Sequence, residues 1–99
     1  MKQISKKQAV INRELAEIKK GLPQYCCICH RYTSEPQLMH LLPRSLFPEY
    51  ILEPWNLRIG CQECHYKYDN DLSFRKQQKE IIETIQQHDK CAANRYFDL

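Results

Sequence analysis

A chain of 99 residues can form one small domain, and a domain of this size buries only about 60–65% of the surface that its unfolded chain exposes. The net charge is +3, and no apolar run comes near the ~18 residues that a membrane-spanning helix needs, so we expect no association with a membrane. The opening residues, MKQISKKQ, lack the form of a signal peptide, and we therefore expect a cytoplasmic protein. In a reducing compartment, six cysteines favour metal ligation over disulfides.

The positive charge is concentrated near the N-terminus. Residues 1–20 carry six basic and two acidic side chains, whereas residues 21–99 carry nine basic and ten acidic ones. A basic segment of this kind can bind the phosphates of a nucleic acid, but a solvated helix face explains the same charges equally well.

Residues 1–22 are predicted to form a basic helix. Ser5 and Gln8 have the spacing of a capping box, and Gly21 followed by Pro23 ends the pattern. Apolar residues recur at helical spacing on one stripe, which is typical of a face packed against a core. These residues are Ile4, Ile11, Leu15, Ile18 and Leu22.

Residues 25–70 contain only short apolar runs. Leu38–Leu42 and Leu57–Ile59 are predicted strands, joined by an irregular connection that contains three prolines, and a short helix is predicted to begin at Cys64. Residues 71–99 are predicted to form a second long helix, which Asp71 can cap, and a tail that follows Lys90. The apolar stripe of that helix consists of Phe74, Ile81, Ile82 and Ile85. We therefore predict a single α+β domain over residues 1–99, with a small ββα centre between two helical segments.

Two CxxC pairs predict a metal site. Cys26 and Cys29 form the first pair, Cys61 and Cys64 form the second, and about thirty residues separate them, as in four-cysteine zinc sites. Each pair can form a tight turn with both thiolates on one side, and two such turns complete a tetrahedron. We therefore expect a structural Zn²⁺ whose binding contributes to folding.

The first pair has an alternative. Cys27 and His30 have the same spacing as Cys26 and Cys29. We favour Cys26 and Cys29 because thiolates bind zinc more tightly than a neutral imidazole. Cys27 and Cys91 are then spare, and a free cysteine of this kind behaves as a small apolar residue.

The runs HLLPRS, PWNLRIGC and CQECHYKYD follow one another along the chain. They contain His40, Asn56 and His65, which are separated by 16 and 9 residues. Together with the cysteine pairs, these motifs make residues 25–70 resemble the HNH nucleases, also called His-Me finger or ββα-metal nucleases. Their usual order is a strand with a histidine closely followed by proline, then Asn-Leu, then C-x-x-C-H. The basic lead-in helix is similar to that of small phage-type members, which suggests a phage-like protein.

The resemblance implies a metal-dependent endonuclease that hydrolyses DNA phosphodiester bonds. It implies that His40 activates a water molecule, and that Asn56 braces the loop between the strands and helps to orient His40. His65 is expected to act with Asp69 in holding a catalytic divalent ion such as Mg²⁺. Positions i and i+4 share one face of a helix, so these two side chains can reach one ion.

DNA is the expected partner, held through its phosphates without readout of the base sequence. The candidate contacts are Lys6, Lys7, Arg13, Arg44 and Arg58. An ordinary surface charge is the alternative for each arginine, and a homodimer or a protein partner is left open.

Met39 stands where many HNH nucleases have an aspartate or histidine that supplies another metal ligand. A thioether is a soft ligand and does not suit the hard ions of phosphoryl chemistry. Neighbours on a strand point to opposite faces, so Met39 can pack inward while His40 faces the site. The ion would then rest on His65, Asp69, waters and the substrate phosphate.

Two other functions fit the same residues. One is a catalytically degenerate HNH module that binds DNA or a protein partner without cutting, and the other is a structural zinc-binding protein. Taken alone, His40 is more often a core histidine, His65 a spare zinc ligand and Asn56 a turn residue. The joint spacing of the three favours the nuclease.

Overall fold

The computed structural model describes residues 5–99, so Ile4 of the first apolar stripe lies outside the described residues. Within that range the chain forms five α-helices and a two-stranded antiparallel sheet, which confirms the predicted α+β class. The elements are α1 (Lys6–Gly21), β1 (Gln37–His40), β2 (Leu57–Gly60), α2 (Gln62–Asn70), α3 (Leu72–Lys76), α4 (Lys79–His88) and α5 (Lys90–Phe97), with 3₁₀ turns at Pro48–Tyr50 and Pro54–Asn56.

Helix α1 begins where its cap predicts. The Ser5 hydroxyl accepts a hydrogen bond from the Gln8 amide at 3.1 Å, which satisfies one of the free donors of the first turn. Of the predicted stripe, Leu15 is buried and Ile11 and Ile18 are only half-buried. The packing of α1 is therefore shallow, and its basic residues face solvent.

None of the helices in residues 5–99 combines the length and the apolar character that crossing a membrane requires.

Strands β1 and β2 pair with Leu38 opposite Ile59 and His40 opposite Leu57. The prediction extended β1 to Leu42, but the strand ends at His40. Leu41 lies opposite Asn56 in the same register, and its amide still donates to the Asn56 carbonyl at 2.8 Å. The ladder ends there because the Asn56 amide donates to the Glu53 carbonyl at 2.9 Å and not back to Leu41. The apolar run continues because it is buried in the core and not because it is paired in the sheet.

Helix α2 begins at Gln62, two residues before the predicted start. The Cys61 side chain acts as its N-cap by accepting from the Cys64 amide. Further along, the Tyr68 hydroxyl donates to the Leu41 carbonyl at 2.6 Å and is fully buried. Helix α2 is thus fixed to the connection that follows β1.

The predicted second long helix is wrong, because the chain breaks at Gln77 and Gln78, between α3 and α4, and the predicted tail after Lys90 forms a helix of its own, α5. Asp89 breaks the pattern: its extended backbone ends α4, and its carboxylate accepts from the Ala92 amide at 3.0 Å to cap α5. The break lets Phe97 of the predicted tail return to the core. The buried core consists of Met39, Leu41, Leu42, Phe47, Tyr68, Ile81, Ile85, Ala92, Ala93 and Phe97.

Arg75 joins three of the C-terminal elements. Its guanidinium donates to the carbonyls of Tyr68, Asp69 and Tyr96 at 2.8–3.1 Å. It also lies 4.0 Å from the centre of the Tyr96 ring, within the range of a cation–π interaction. The end of α2 is therefore held against α3 and α5, which fixes the position of the helix that carries His65.

Candidate functional site

The thiols of Cys26, Cys29, Cys61 and Cys64 lie within 4.8 Å of one another. All six cysteines of the chain are free thiols. The Cys29 and Cys61 sulfur atoms are 3.9 Å apart, and a tetrahedral site with metal–sulfur bonds of about 2.3 Å places its sulfurs about 3.8 Å apart. The cluster could therefore hold a metal ion such as zinc.

The backbone of the first pair is shaped around one sulfur atom. The Cys26 sulfur accepts hydrogen bonds from the amides of Ile28 and Cys29, each at 3.4 Å. His30 follows with a φ of 63°, a left-handed conformation that turns the chain back, and its amide donates to the Cys26 carbonyl. Amide donors of this kind favour the thiolate that a metal ion binds.

Cys27 and His30 lie outside the cluster, so the choice of Cys26 and Cys29 for the first pair agrees with the structure. Cys27 instead packs against the core, and its amide donates to the Ile59 carbonyl at 2.8 Å, which joins the first cysteine turn to β2. Burial raises the pKa of the Cys27 thiol to about 11, so the thiol stays protonated at neutral pH. Its role is that of a small apolar residue.

His40, at the end of β1, is held by a backbone carbonyl. Its Nε2 lies 3.0 Å from the Ile51 carbonyl oxygen, which can only accept, so Nε2 carries the proton and Nδ1 keeps a lone pair. Burial lowers the pKa of His40 below its ordinary 6.5, and the hydrogen bond to Ile51 opposes this shift. The ring is therefore neutral at pH 7.

Three further ionisable groups affect the pKa of His40. The positive charge of Arg44 lowers the pKa of His40, Asp69 raises it and His65 lowers it. All three therefore lie within electrostatic range of the ring, although they come from the connection after β1 and from α2. His65 and Asp69 thus lie near enough to His40 to affect its pKa.

His65 and Asp69 form a pair on α2. His65 Nε2 and the Asp69 carboxylate oxygen are 3.1 Å apart. Two ligands at right angles on an ion, with bonds of about 2.1 Å, are about 3.0 Å apart. The spacing i, i+4 thus places both atoms where one divalent ion can contact them. On its other side, the His65 Nδ1 is 2.8 Å from the Gln37 side-chain oxygen, a contact that no sequence motif indicates.

Met39 does not extend this pair. Its side chain is fully buried, and it fills the space above Gly60, where an added Cβ would lie 2.1 Å from the Met39 sulfur. Among residues 5–99, the four cysteines are the one group of three or more His, Cys, Asp or Glu side chains with metal-ligand spacing. His65 and Asp69 therefore offer two protein ligands to an ion.

Asn56 is fully buried and braces the connection between the strands. Its side-chain oxygen accepts from the Leu42 amide at 2.7 Å, and its amide nitrogen donates to the carbonyls of Leu42 and Tyr50 at 3.1 and 3.0 Å. Tyr50 directly precedes Ile51, whose carbonyl holds His40. Asn56 thus acts on His40 through one backbone segment.

The candidate phosphate contacts fall into two groups. Arg44 lies close enough to affect the pKa of His40, whereas Arg58 donates to the carbonyls of Pro54 and Leu57 at 3.2 and 2.9 Å and is partly engaged. Lys6, Lys7 and Arg13 are exposed on α1.

The chain matches no family model, no curated protein and no solved structure. The HNH resemblance therefore stays a prediction that rests on the motifs.

Proposed function

We propose that this protein is a small HNH endonuclease that hydrolyses DNA phosphodiester bonds with the help of a divalent ion. The observation that carries the proposal is the arrangement around His40: a neutral imidazole held by the Ile51 carbonyl, within electrostatic range of the His65–Asp69 pair. A base beside two metal ligands is the combination that phosphodiester hydrolysis needs.

His40 acts as the general base in this proposal. Because its Nε2 proton is directed to Ile51, the Nδ1 lone pair is the free site that can take a proton from water. The lowered pKa keeps the ring neutral, and hence basic, at physiological pH. A base of this kind contributes roughly 10²- to 10⁴-fold to a hydrolysis rate.

His65 and Asp69 hold the catalytic divalent ion. When bound, such an ion supplies Lewis-acid stabilisation of charge on the phosphate and the leaving oxygen. Two protein ligands are enough for Mg²⁺, which usually keeps several of its waters. The His65 side chain is 24% exposed and the Asp69 side chain is 43% exposed, which leaves room for those waters and for the substrate.

A structural Zn²⁺ on the four cysteines positions these residues. Zinc fits the tetrahedral spacing of the thiols, and a closed four-thiolate site is typical of structural zinc. Cys61 and Cys64 lie at the start of α2, and His65 follows directly. A zinc ion there would fix the start of α2, from which His65 projects, and Asp69 lies one turn farther along the same helix.

DNA is held through its phosphates by basic side chains. Arg44, whose charge lowers the pKa of His40, suits a phosphate near the site, whereas the exposed cations of α1 suit other phosphates of the duplex. Binding by phosphate contacts falls steeply with salt, so a titration of DNA affinity against salt concentration measures how many contacts form.

A plasmid-nicking assay with Mg²⁺, Mn²⁺ or Ni²⁺ tests the proposal. We expect His40→Ala to lower the nicking rate by about 100-fold or more, because it removes the base. His30→Asn is the matched control, because His30 is exposed and asparagine tolerates its left-handed backbone. Metal-dependent cutting that survives His40→Ala would contradict the assignment of the base.

The second candidate function is an HNH module that binds DNA without cutting it. The burial of Met39 favours it, because this position supplies no third ligand. Salt-dependent DNA binding without nicking in any of the three ions would establish this alternative. Absence of DNA binding as well would leave a structural zinc-binding protein.

A further inference from the structure

We propose that Gln37 is a positioning residue for the catalytic ion: its side-chain oxygen decides which nitrogen of the His65 ring carries the proton. The inference rests on the proposed function, in which His65 Nε2 is a metal ligand. It deepens that function because Gln37 belongs to none of the motifs that identify the site, and it reaches His65 only through the packing of β1 against α2.

The contact depends on a close approach of the helix to the sheet. Gln37 begins β1 opposite Gly60 of β2, and the Met39 side chain of β1 occupies the space where a side chain of Gly60 would lie. A Cβ at Gly60 would lie 3.7 Å from the His65 Cβ and would collide with the Met39 sulfur. Gly60 therefore makes room for Met39, and the start of α2 lies close to this end of the sheet, where the Gln37 oxygen is 2.8 Å from His65 Nδ1.

Two acceptors compete for the His65 proton. A neutral imidazole has one N–H, the Gln37 oxygen faces Nδ1, and the Asp69 carboxylate faces Nε2 at 3.1 Å. If the proton lies on Nε2, the ring donates to Asp69 and has no lone pair for an ion between the two. If it lies on Nδ1, the ring donates to Gln37, and Nε2 offers a lone pair beside the carboxylate.

Gln37 thus opposes the preference of Asp69 for the proton. Histidines that ligate metals generally donate their other ring N–H to an acceptor, which fixes the ring orientation and its protonated nitrogen. Loss of such a partner typically weakens metal binding 10- to 100-fold. Gln37 is half-buried in the strand, so its oxygen is held in place for this task.

The first test reads the proton directly. In the zinc-loaded full-length protein without other ions, ¹⁵N NMR of the ring nitrogens, at a pH where His65 is neutral, should show the proton on Nδ1 in the wild type. Gln37→Glu keeps an acceptor oxygen and should keep that state, whereas Gln37→Leu should move the proton to Nε2. A wild type with the proton on Nε2, or no change in Gln37→Leu, would overturn the inference.

The second test measures Mn²⁺ affinity by the electron paramagnetic resonance of the free ion. We expect Gln37→Leu to weaken binding 10- to 100-fold and Gln37→Glu to retain it. Gln87→Leu, at an exposed position on α4, is the matched control and should bind as the wild type does. Unchanged affinity in Gln37→Leu would overturn the inference. If circular dichroism shows that Gln37→Leu is unfolded, Gln37→Met, which keeps the unbranched shape, replaces it in both tests.

The two tests separate this inference from the proposed function. If the wild type binds no Mn²⁺, the proposed catalytic ion and the nuclease function are contradicted. The ¹⁵N NMR spectrum would still show whether Gln37 determines which nitrogen of His65 carries the proton. Mn²⁺ binding that depends on Gln37 in a protein that does not cut DNA would support the inference and contradict the nuclease.

Discussion

The cysteine cluster and the His65–Asp69 pair differ in how many ligands they bring together and in how exposed these ligands are. The cluster has four thiols, of which Cys26 is 1% and Cys64 is 9% exposed. The pair, which we propose as a site for a divalent ion, has two polar atoms 3.1 Å apart on side chains that are 24% and 43% exposed. Closed sites of four ligands suit a structural ion, whereas sites with open positions leave room for water and substrate. The two regions therefore suit different tasks.

The two regions nevertheless share one helix. Cys61 caps α2, Cys64 lies in its first turn and His65 is the next residue. Damage to the cysteine cluster should therefore displace the His65–Asp69 pair as well. Damage to the connection around His40 should leave the cluster intact. Variants in each region can test this one-way dependence.

The largest effect is expected from Cys26→Ala. A tetrahedral site that loses one thiolate binds zinc far more weakly, and zinc binding is worth about 10–16 kcal/mol in small zinc-dependent peptides. We expect loss of the metal and loss of a cooperative unfolding transition, measured by metal analysis and circular dichroism. Cys91→Ala, at an exposed position outside the cluster, should change neither. Retention of one zinc ion per chain in Cys26→Ala would contradict a four-cysteine site.

A smaller effect, confined to the connection around His40, is expected from Asn56→Ala. The substitution leaves the Leu42 amide and the carbonyls of Leu42 and Tyr50 without their partner. Each buried group left unsatisfied costs about 1–3 kcal/mol, so we expect the free energy of unfolding in urea to fall by about 3 kcal/mol. Nicking should also slow, because the backbone that carries the Ile51 carbonyl is released.

The zinc content of Asn56→Ala tests whether damage to the connection around His40 also affects the cysteine cluster. It should stay at one ion per chain, because Asn56 contacts no residue of the cluster. Asn94→Ala, at an exposed position on α5, is the matched control and should leave both stability and zinc unchanged. Loss of zinc in Asn56→Ala would show that the two regions depend on each other in both directions.

The same difference explains how much could be predicted from the sequence. The cysteine cluster could be predicted because each pair is a local motif, and its four members are the ones that meet in the structure. The groups that contact His40 and His65 through packing could not be predicted from the sequence. The Ile51 carbonyl is a backbone group with no residue signal, and Gln37 reaches His65 only through the strand register.

The helices show the same limit. The start of α1 followed from Ser5, whose capping is local. The second long helix was predicted because the apolar periodicity from Phe74 to Ile85 favours it, yet the chain breaks within that stretch at Gln77 and Gln78, and again at Asp89. The break at Asp89 depends on a local cap and on the burial of Phe97, and only the cap is visible in the sequence.

The smallest effect is expected from Tyr50→Phe, which removes a contact between the connection around His40 and the C-terminal helices. The Tyr50 hydroxyl donates to the Asp89 carboxylate, and next to them Trp55 stacks on His88 with ring centres 4.5 Å apart. The hydrogen bond lowers the pKa of Asp89 below its usual 3.8 and raises the pKa of Tyr50 to about 12. The contact thus stabilises the fold in a pH-dependent way.

The direction of that dependence follows from the two shifts. The lowered pKa of Asp89 contributes stability that is present above about pH 4 and is lost as the pH falls through the folded value. The raised pKa of Tyr50 contributes stability that is present below about pH 10 and is lost as the pH rises toward 12. Tyr50→Phe should therefore lower the melting temperature between these limits and flatten both edges, whereas Tyr66→Phe, at an exposed position on α2, should not. Equal melting curves for Tyr50→Phe and wild type from pH 4 to 10 would mean that α5 does not support the connection that holds His40.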